Sequence, residues 1–367
     1  MNIIKAFEKS MGEYSLREKS KHWEKFNERK HLYKEEYLEN FRNNGLSDGL
    51  DDRGYIPTEQ KEIFADLIND VGESFALANL SNRNVGNSRR YFKVGDKFVD
   101  AGQNFHIKWL HELMELVFFK AKIEYVCEIG GGYGSLAQKI RSKIDCRYIL
   151  IDLPEANILA SYYLRTHFPN LKFLLCDEIN GRVVDKEQVD KYDFIIIPPW
   201  YEIRNLKIDL FINTRSMMEM NFDVIKKYFK FIHGTIADNG FFFNINRYEK
   251  NTVGHPIKLS EYPYDDKWNV VSSGPSWRQK HIHQLVTQRI KTTGNIKKEL
   301  MKIEEAYQDM TRKNKTRAIN NLPFHIKIAK KLLPDLVYKK LKTFLIPNFY
   351  VCDYWRVRKG NAEPKTI

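Results

Sequence analysis

The chain has 367 residues, 43% of them apolar and 13% aromatic, with a formal charge of +13 at neutral pH. That length and apolar share exclude a chain disordered throughout and leave room for one large core plus a smaller domain or extensions. No uninterrupted apolar run reaches the ~18 residues that span a bilayer, and Met1-Asn2-Ile3-Ile4-Lys5 leads into charged sequence rather than a signal peptide, so the expected compartment is the cytoplasm.

The four cysteines, Cys127, Cys146, Cys176 and Cys352, are scattered without a CxxC, which reads as reduced core residues; no metal site is expected. Lysines and arginines are spread along the whole chain, and no DNA- or RNA-binding motif accompanies them. A basic surface of this kind also suits acidic sugars, nucleotide sugars, phosphorylated glycans or an anionic membrane face.

Residues 1–103 read as a helical N-terminal region that caps the substrate side. Ser10 to Asn40, dense in Lys, Glu and aromatics, predicts amphipathic helices; Asn43 to Gly54 is a loop by composition, and Tyr91 to Gly102 a short extended pair. Asn104 to Lys122 carries apolar residues at helical spacing, from Trp109 and Leu110 to Val117 and Phe118, and predicts a helix covering one face of a sheet. His106 and His111 on it read as ordinary surface or core histidines, with a role at the pocket as the alternative.

From residue 104 to 291 the pattern is α/β. Strands are expected at Glu124–Ile129, Tyr148–Asp152, Lys172–Cys176, Phe194–Ile197, Leu210–Asn213 and Phe241–Ile245, alternating with helices near Ser135–Lys143, Glu155–His167 and Phe222–Ile236. Asn239-Gly240 reads as the stop of the last helix. Trp268–Ser272 and His281–Ile290 read as a final antiparallel pair joined by the turn Ser273-Gly274-Pro275. The fourth strand is either Phe194–Ile197 or Leu210–Asn213. Asp209 and the single helix before Phe241 favour the later one, which makes Lys172–Cys176 the true third strand or an added edge. Residues 292–367 form a basic extension with helices at Lys297–Lys315 and Ile326–Phe344; the second is amphipathic and reads as a solvated helix or a peripheral membrane contact.

The chemistry centres on Val126-Cys127-Glu128-Ile129-Gly130-Gly131-Gly132-Tyr133-Gly134, a strand that runs into a glycine-rich turn and then a helix. Glycines there permit backbone angles that a Cβ forbids and let the main chain approach a ligand. Tyr148-Ile149-Leu150-Ile151 ends in Asp152, 20 residues after Gly132, where a nucleotide-binding fold places a carboxylate for ribose hydroxyls. The dehydrogenase fingerprint G-x-G-x-x-G fails because Ser135 takes its last place. Acid-x-G-x-G-x-G, the form used for S-adenosylmethionine, is met at Glu128, Gly130, Gly132 and Gly134.

Glu128–Leu136 followed by Ile151-Asp152-Leu153-Pro154-Glu155 resembles class I S-adenosylmethionine-dependent O-methyltransferases. The stretch Asp209–Met220, then Tyr228-Phe229, Tyr262-Pro263-Tyr264-Asp265 and Trp268, resembles the sugar O-methyltransferases of bacterial surface-polysaccharide clusters. The resemblance spans roughly Asn104 to Arg289. It implies a Rossmann-like class I methyltransferase sheet and S-adenosylmethionine bound by Glu128, Gly130, Gly132, Gly134, Asp152, Leu153 and Asn213; Pro198 and Pro199, with Trp200, read from their flat apolar faces as the wall for the adenine. It also implies a saccharide or nucleotide-sugar acceptor near Ser216, Tyr262 and Trp268.

Methyl transfer to a sugar hydroxyl needs the acceptor oxygen, the methyl group and the sulfur in line, and a positioned base for the hydroxyl proton. Asn213, Ser216 and Glu219 fall beyond the carboxyl end of the later fourth strand, which makes Glu219 a candidate base; its plain alternative is a helix-start carboxylate. His281 and His283 share a face of an extended segment and are the second candidates, as base or substrate contact, with ordinary packing as the alternative; a His-x-His pair also suggests metal, but no Asp or Glu cluster stands beside it in sequence. The string Ile197-Pro198-Pro199-Trp200 departs from the amino-methyltransferase motif, which needs Asn or Asp where Ile197 stands, and this argues against methylation of nucleic-acid bases. The other readings are a nucleic-acid or small-molecule methyltransferase and a non-catalytic subunit of a glycan assembly complex.

Overall fold

Eight strands build the central sheet: β1 (Tyr125–Ile129), β2 (Arg147–Ile151), β3 (Phe173–Leu175), β4 (Phe194–Ile197), β5 (Ile208–Thr214), β6 (Ile236–Arg247), β7 (Trp268–Ser276) and β8 (Gln279–Arg289). The computed structural model describes residues 3–14, 33–47, 57–251 and 256–320. Across the sheet the order is β3-β4-β2-β1-β5-β6-β8-β7. Every pairing from β3 to β6 is parallel, and β8 runs antiparallel between β6 and β7. The chain leaves β1 to one side for β2 and later returns to its other side as β5. That reversal opens a crevice at the carboxyl ends of β1 and β5, where open α/β sheets take their ligands.

Helices α1 (Ile3–Gly12), α2 (Pro57–Val71), α3 (Ala101–Leu113), α4 (Ser135–Arg141), α5 (Pro154–His167), α6 (Phe222–Thr235) and α7 (Ile296–Asn320) surround this sheet or follow it. Phe229 and Phe231 of α6 meet Phe242 and Phe211 at 5.9 and 5.5 Å between ring centres. Phe211 and Phe242 are register partners on one face. Gln284, paired with Ile245, points to the other face and donates to Glu112 of α3. Both faces of the sheet are therefore covered, and β4, Phe-Ile-Ile-Ile, is buried at every position, as an inner parallel strand requires.

The later fourth strand is the one observed: β5 pairs with β1, while β4 lies beside β2 and carries β3 on its outer edge. Lys172–Cys176 is thus an added edge. Two turn assignments need correction. α6 stops at Thr235, and Asn239-Gly240 lies inside β6, at a register shift between Ile236 and Phe241 where Asn239 has φ 63°. Pairing of Ile236 with Ile208 starts the strand before the expected stop. Ser273-Gly274-Pro275 lies within β7, and the chain turns at Trp277-Arg278 instead, with Arg278 at φ 55°. Pro275 is tolerated because β7 is the outermost strand.

The helix expected from Asn104 begins at Ala101, capped by Asp100, whose side chain accepts from the Gln103 amide, and ends in a π turn over Met114–Phe118. The short extended pair is present as Phe92–Val94 against Lys97–Val99. Met1–Glu304 form one compact unit and Glu305–Ile367 a second. Ile107 of α3 closes an apolar cluster with Leu67, Val71, Leu80 and Val99, so the boundary expected at 103 runs through a shared core. Most of the expected Ser10–Asn40 helices, Asp48 to Gly54 of the loop, Cys352 and the Ile326–Phe344 helix lie outside the described residues; α7 contains the expected Lys297–Lys315 helix.

Candidate functional site

The turn between β1 and α4 is shaped by its glycines. Gly130, Gly132 and Gly134 have φ of 75°, 58° and 85°, a left-handed conformation that favours residues without a Cβ. At Gly130 an added Cβ would lie 2.0 Å from Ser216 Oγ, so the loop after β5 rests directly on this residue. The turn is held from below by Glu128, whose carboxylate would lie 2.9 Å from a Cβ at Gly131.

Glu128 is buried and accepts from the Tyr148 hydroxyl at 2.8 Å. Burial raises its pKa to about 7; the Tyr148 bond opposes this and the nearby Asp152 adds to it. It therefore supports the turn from the core. Asp152, at the end of β2, faces the turn. Its Oδ2 accepts from the Gly132 amide at 2.8 Å and its Oδ1 from the Leu153 amide at 2.7 Å. Burial pushes this carboxyl to about 7 against those two bonds, with Glu155 and Glu219 contributing. An ionised carboxylate has about four acceptor positions, so two remain for ligand hydroxyls. Leu153 sits at the N-cap of α5, followed by Pro154 at the first helical position.

Pro198 and Pro199 follow β4, next to Asp152, whose amide donates to the Ile197 carbonyl at 3.3 Å. Trp200 is pinned from the N-terminal region: its Nε1 donates to Glu13 at 3.1 Å and its ring packs on Tyr14 at 5.3 Å. On the other side of the turn, Phe41 packs on Tyr133 at 5.5 Å and the Arg42 guanidinium stands over the same ring at 5.4 Å. Arg42 also pairs with Asp100, with both side chains buried. Lys139 of α4 is buried beside them and donates to the Asn79 carbonyl at 3.0 Å; burial draws its pKa down to about 8. His106 contacts Ser135, the first residue of α4, through Nδ1 at 2.9 Å, and burial draws its pKa down to about 3.

Asn213 is fully buried, and its amide is engaged within the protein. Nδ2 donates to the Ile129 carbonyl at 2.7 Å and to Ser216 Oγ at 2.5 Å; Oδ1 accepts from the Met217 amide and from Asn246 Nδ2. Asn246 reaches Asn244, which donates to the Tyr264 hydroxyl at 3.0 Å. This buried amide ladder clamps β5 to β1 and fixes the crevice wall. Sequence reasoning missed Asn244 and Asn246, although their i, i+2 spacing inside an apolar strand was the available signal. Arg215 stands at φ 65° with its guanidinium over Phe105 and Trp109 and donates to Gln279 of β8.

Glu219 lies on the same rim, ion-paired to Lys250 at 3.1 Å with both side chains largely buried. His283, on the β8 end that reaches this rim, has both ring nitrogens engaged: Nδ1 with the Tyr248 hydroxyl and Nε2 with Ser273 Oγ, each at 2.9 Å. Burial lowers its pKa to about 4. His281 shares its face two residues earlier and is half-buried. Tyr262 and Trp268 require correction as substrate contacts. They are 2% and 0% exposed, Tyr262 packs on Phe229, and Trp268 starts β7 at the opposite edge of the sheet, bonded to His233. Among the described residues no group of three or more His, Cys, Asp or Glu is placed to hold a metal ion.

No family model matches the chain. No curated protein sequence matches it. Solved structures similar to parts of it include the mitomycin 7-O-methyltransferase MmcR, at 14% identity and a TM-score of 0.31, covering 52% of this chain; the chain spans 57% of that protein's length. An amino pentose methyltransferase from Micromonospora echinaspora with bound S-adenosylmethionine is 7% identical, with a TM-score of 0.33 and coverage of 50% of this chain and 91% of that one. Magnesium protoporphyrin IX methyltransferase from Synechocystis, also with S-adenosylmethionine bound, is 12% identical, with a TM-score of 0.36 and coverage of 63% and 97%.

Proposed function

We propose that the chain is an S-adenosylmethionine-dependent O-methyltransferase that acts on a sugar hydroxyl, on a saccharide or nucleotide sugar made for a bacterial surface polysaccharide. The observation that carries the cofactor half is the pairing of the three left-handed glycines of the β1–α4 turn with Asp152, which takes the Gly132 amide and keeps acceptor positions on the crevice side. The residues fit that group. A cradle without Cβ atoms admits the methionine end, and a carboxylate across from it suits ribose hydroxyls. Pro198 and Pro199 supply an apolar wall beside Asp152 for the adenine.

Bound there, the cofactor supplies a methyl group on a sulfonium sulfur. The protein's own residues hold the nucleoside at Asp152, fix the crevice through the Asn213 amide, and take the acceptor's proton at one of the candidate bases Glu219, His281 and His283. Ser216 stands at the crevice mouth over Gly130 and is the proposed acceptor contact. The saccharide assignment rests on the resemblance of Asp209–Met220 and Tyr262–Trp268, and the site chemistry is compatible with it through its hydroxyl and amide donors. A peripheral membrane contact is proposed for the basic tail. No helix among the described residues is long and apolar enough to cross a membrane.

The test is incubation of the purified chain with methyl-labelled S-adenosylmethionine and a panel of nucleotide sugars and cell glycans. Label in a glycan fraction is the expected result. Cofactor binding that survives both Gly132→Arg and Asp152→Ala overturns the cofactor assignment, and label appearing only in nucleic acid overturns the acceptor.

A further inference from the structure

The short hairpin of Phe92–Val94 against Lys97–Val99 has two unlike faces. Side chains alternate along a strand, and directly opposed residues share a face. Phe92 and Val94, with buried Val99, pack on the apolar cluster of Leu67, Val71 and Ile107. Lys93 and its register partner Phe98 therefore stand on the outer face. There the Lys93 ammonium lies over the Phe98 ring at 4.8 Å, and Tyr91 meets the same ring edge-on at 4.9 Å. Both rings are half-buried, while Arg89, Arg90 and Lys93 are exposed and Lys97 sits beside the turn. Lys108, Arg141, Lys186 and Lys250 elsewhere each hold an acid. Among the described residues no carboxylate is ion-paired with Arg89, Arg90, Lys93 or Lys97. The outer face thus carries uncompensated positive charge around a pair of aromatic rings.

The hairpin is tied to the glycine turn. The Phe98 amide donates to the Ser81 carbonyl, and two residues on, Asp100 pairs with Arg42, whose guanidinium stands over Tyr133. At the start of the hairpin the Arg89 amide donates to the side chain of Asn43, next to Arg42. A ligand held on the outer face is anchored to the same layer that flanks the turn.

Resting on the methyltransferase reading, we propose that this outer face is a docking strip for the acceptor, and that the acceptor is an acidic polysaccharide with carboxylates on its sugar rings. The carboxylates meet Arg89, Arg90, Lys93 and Lys97, and a pyranose ring lies on Tyr91. Opposite charge supplies the attraction and the apolar ring face the fit. Cations spaced along the hairpin from Arg89 to Lys97 suit a repeating charge better than a single diphosphate, which favours the polymer over a nucleotide sugar. The geometry disfavours the other polyanions. Successive nucleic-acid bases stack on open ring faces, whereas Tyr91 and Phe98 stand at 66° to each other with Lys93 over the latter. An anionic bilayer would meet the hairpin tip, which is Gly95 and the exposed carboxylate of Asp96 rather than an apolar wedge.

The experiment uses the full chain in two arms. In the first, fluorescence anisotropy follows labelled polygalacturonate oligomers, with neutral dextran, a single-stranded oligonucleotide and phosphatidylglycerol vesicles as competitors. Wild type is expected to bind polygalacturonate, and dextran to leave that binding untouched. Arg89→Glu with Lys93→Glu is expected to weaken it at least tenfold, and Arg90→Gln alone at least threefold. Tyr91→Ala, which leaves the charge unchanged, is expected to weaken it at least fivefold; urea midpoints check that each variant folds. A wild type that does not bind polygalacturonate overturns the strip, and so does binding within twofold of wild type in the double variant or in Tyr91→Ala. An oligonucleotide or vesicle that displaces the label better than unlabelled polygalacturonate overturns the choice of partner. In the second arm, methyl-labelled S-adenosylmethionine is supplied with an acidic polysaccharide fraction from cells, and the double variant is expected to raise its KM at least tenfold. An unchanged KM, or label in nucleotide sugars alone, overturns the acceptor assignment. A wild type that methylates no acceptor overturns the methyltransferase reading instead, and the binding arm still decides the docking strip.

Discussion

The Gly132 amide donates to Oδ2 of Asp152 at 2.8 Å across 20 residues of chain. One carboxylate thus fixes the shape of the glycine turn and presents the face proposed to hold the ribose. Hydrogen bonds to a charged group contribute about 1.5–3 kcal/mol each. Asp152→Ala is accordingly expected to weaken S-adenosylmethionine binding about 10- to 100-fold or more in calorimetry. Asp152→Asn keeps one acceptor oxygen and should fall between. Equal affinity for all three proteins would remove Asp152 from the cofactor site.

The same carboxyl predicts a pH dependence. Burial raises it to about 7, with Glu155 and Glu219 adding to the effect, and a ribose hydroxyl donates best to the ionised form. Cofactor affinity should therefore rise as pH increases through about 7 and level off above. Glu219→Gln removes one repelling charge and should move the midpoint to lower pH. For stability the direction is opposite: the folded carboxyl holds its proton between the ordinary 3.8 and about 7 while the unfolded one does not, so its contribution declines as pH rises through that window. Affinity titrations of wild type and Glu219→Gln across this range check the first part, and an unmoved midpoint defeats it.

Arg42 and Asp100 form a buried pair at 3.3 Å, 4% and 5% exposed at their side chains, behind the turn residue Tyr133. Removing one partner of a buried pair leaves an uncompensated charge and costs about 3–5 kcal/mol. Asp100 also caps α3, which carries His106 to Ser135. Arg42→Met should thus lower the unfolding free energy measured in urea by that amount, and Arg42→Met with Asp100→Leu should recover part of it. A single variant as stable as wild type would show that the pair does not hold the N-terminal region to the turn.

How far the sequence led depends on whether a signal was local. The strand–turn–helix at Glu128–Ser135 and the carboxylate at 152 were legible because glycine conformation and spacing are local properties. The choice of Leu210–Asn213 over Phe194–Ile197 for the strand beside β1 was readable from the single helix before Phe241. Asn239-Gly240 misled because the pairing of Ile236 with Ile208 overrides a local stop signal. Tyr262 and Trp268 misled because an aromatic ring suits a core and a sugar platform equally, and here Phe229, Phe242 and Tyr264 surround them. Asn213 lies at the end of β5 as the sequence expects, and its amide bonds to Ile129, Ser216, Met217 and Asn246, long-range partners that no local pattern announces. The bonds of His283 to Tyr248 and Ser273 were not legible at all, since only the β6–β8–β7 pairing brings those residues together.

One buried histidine, His283, and two half-buried ones, His106 and His167, predict acid sensitivity. Burial lowers His106 to about 3 and both His167 and His283 to about 4, with Lys139 adding to the first two and Glu299 partly opposing it at His283. Below about 6.5 the unfolded imidazoles gain protons that the folded ones refuse. The stability these groups contribute is full above that value and is lost as pH falls toward 4. His283→Gln keeps a polar group but cannot charge, so it should lower stability at neutral pH through its weaker bonds to Tyr248 and Ser273 while making the decline between about 6.5 and 4 shallower. Urea midpoints followed across that range test this. A decline as steep in His283→Gln as in wild type would mean that His283 takes up its proton in the folded state, with Glu299 supplying the counter-charge.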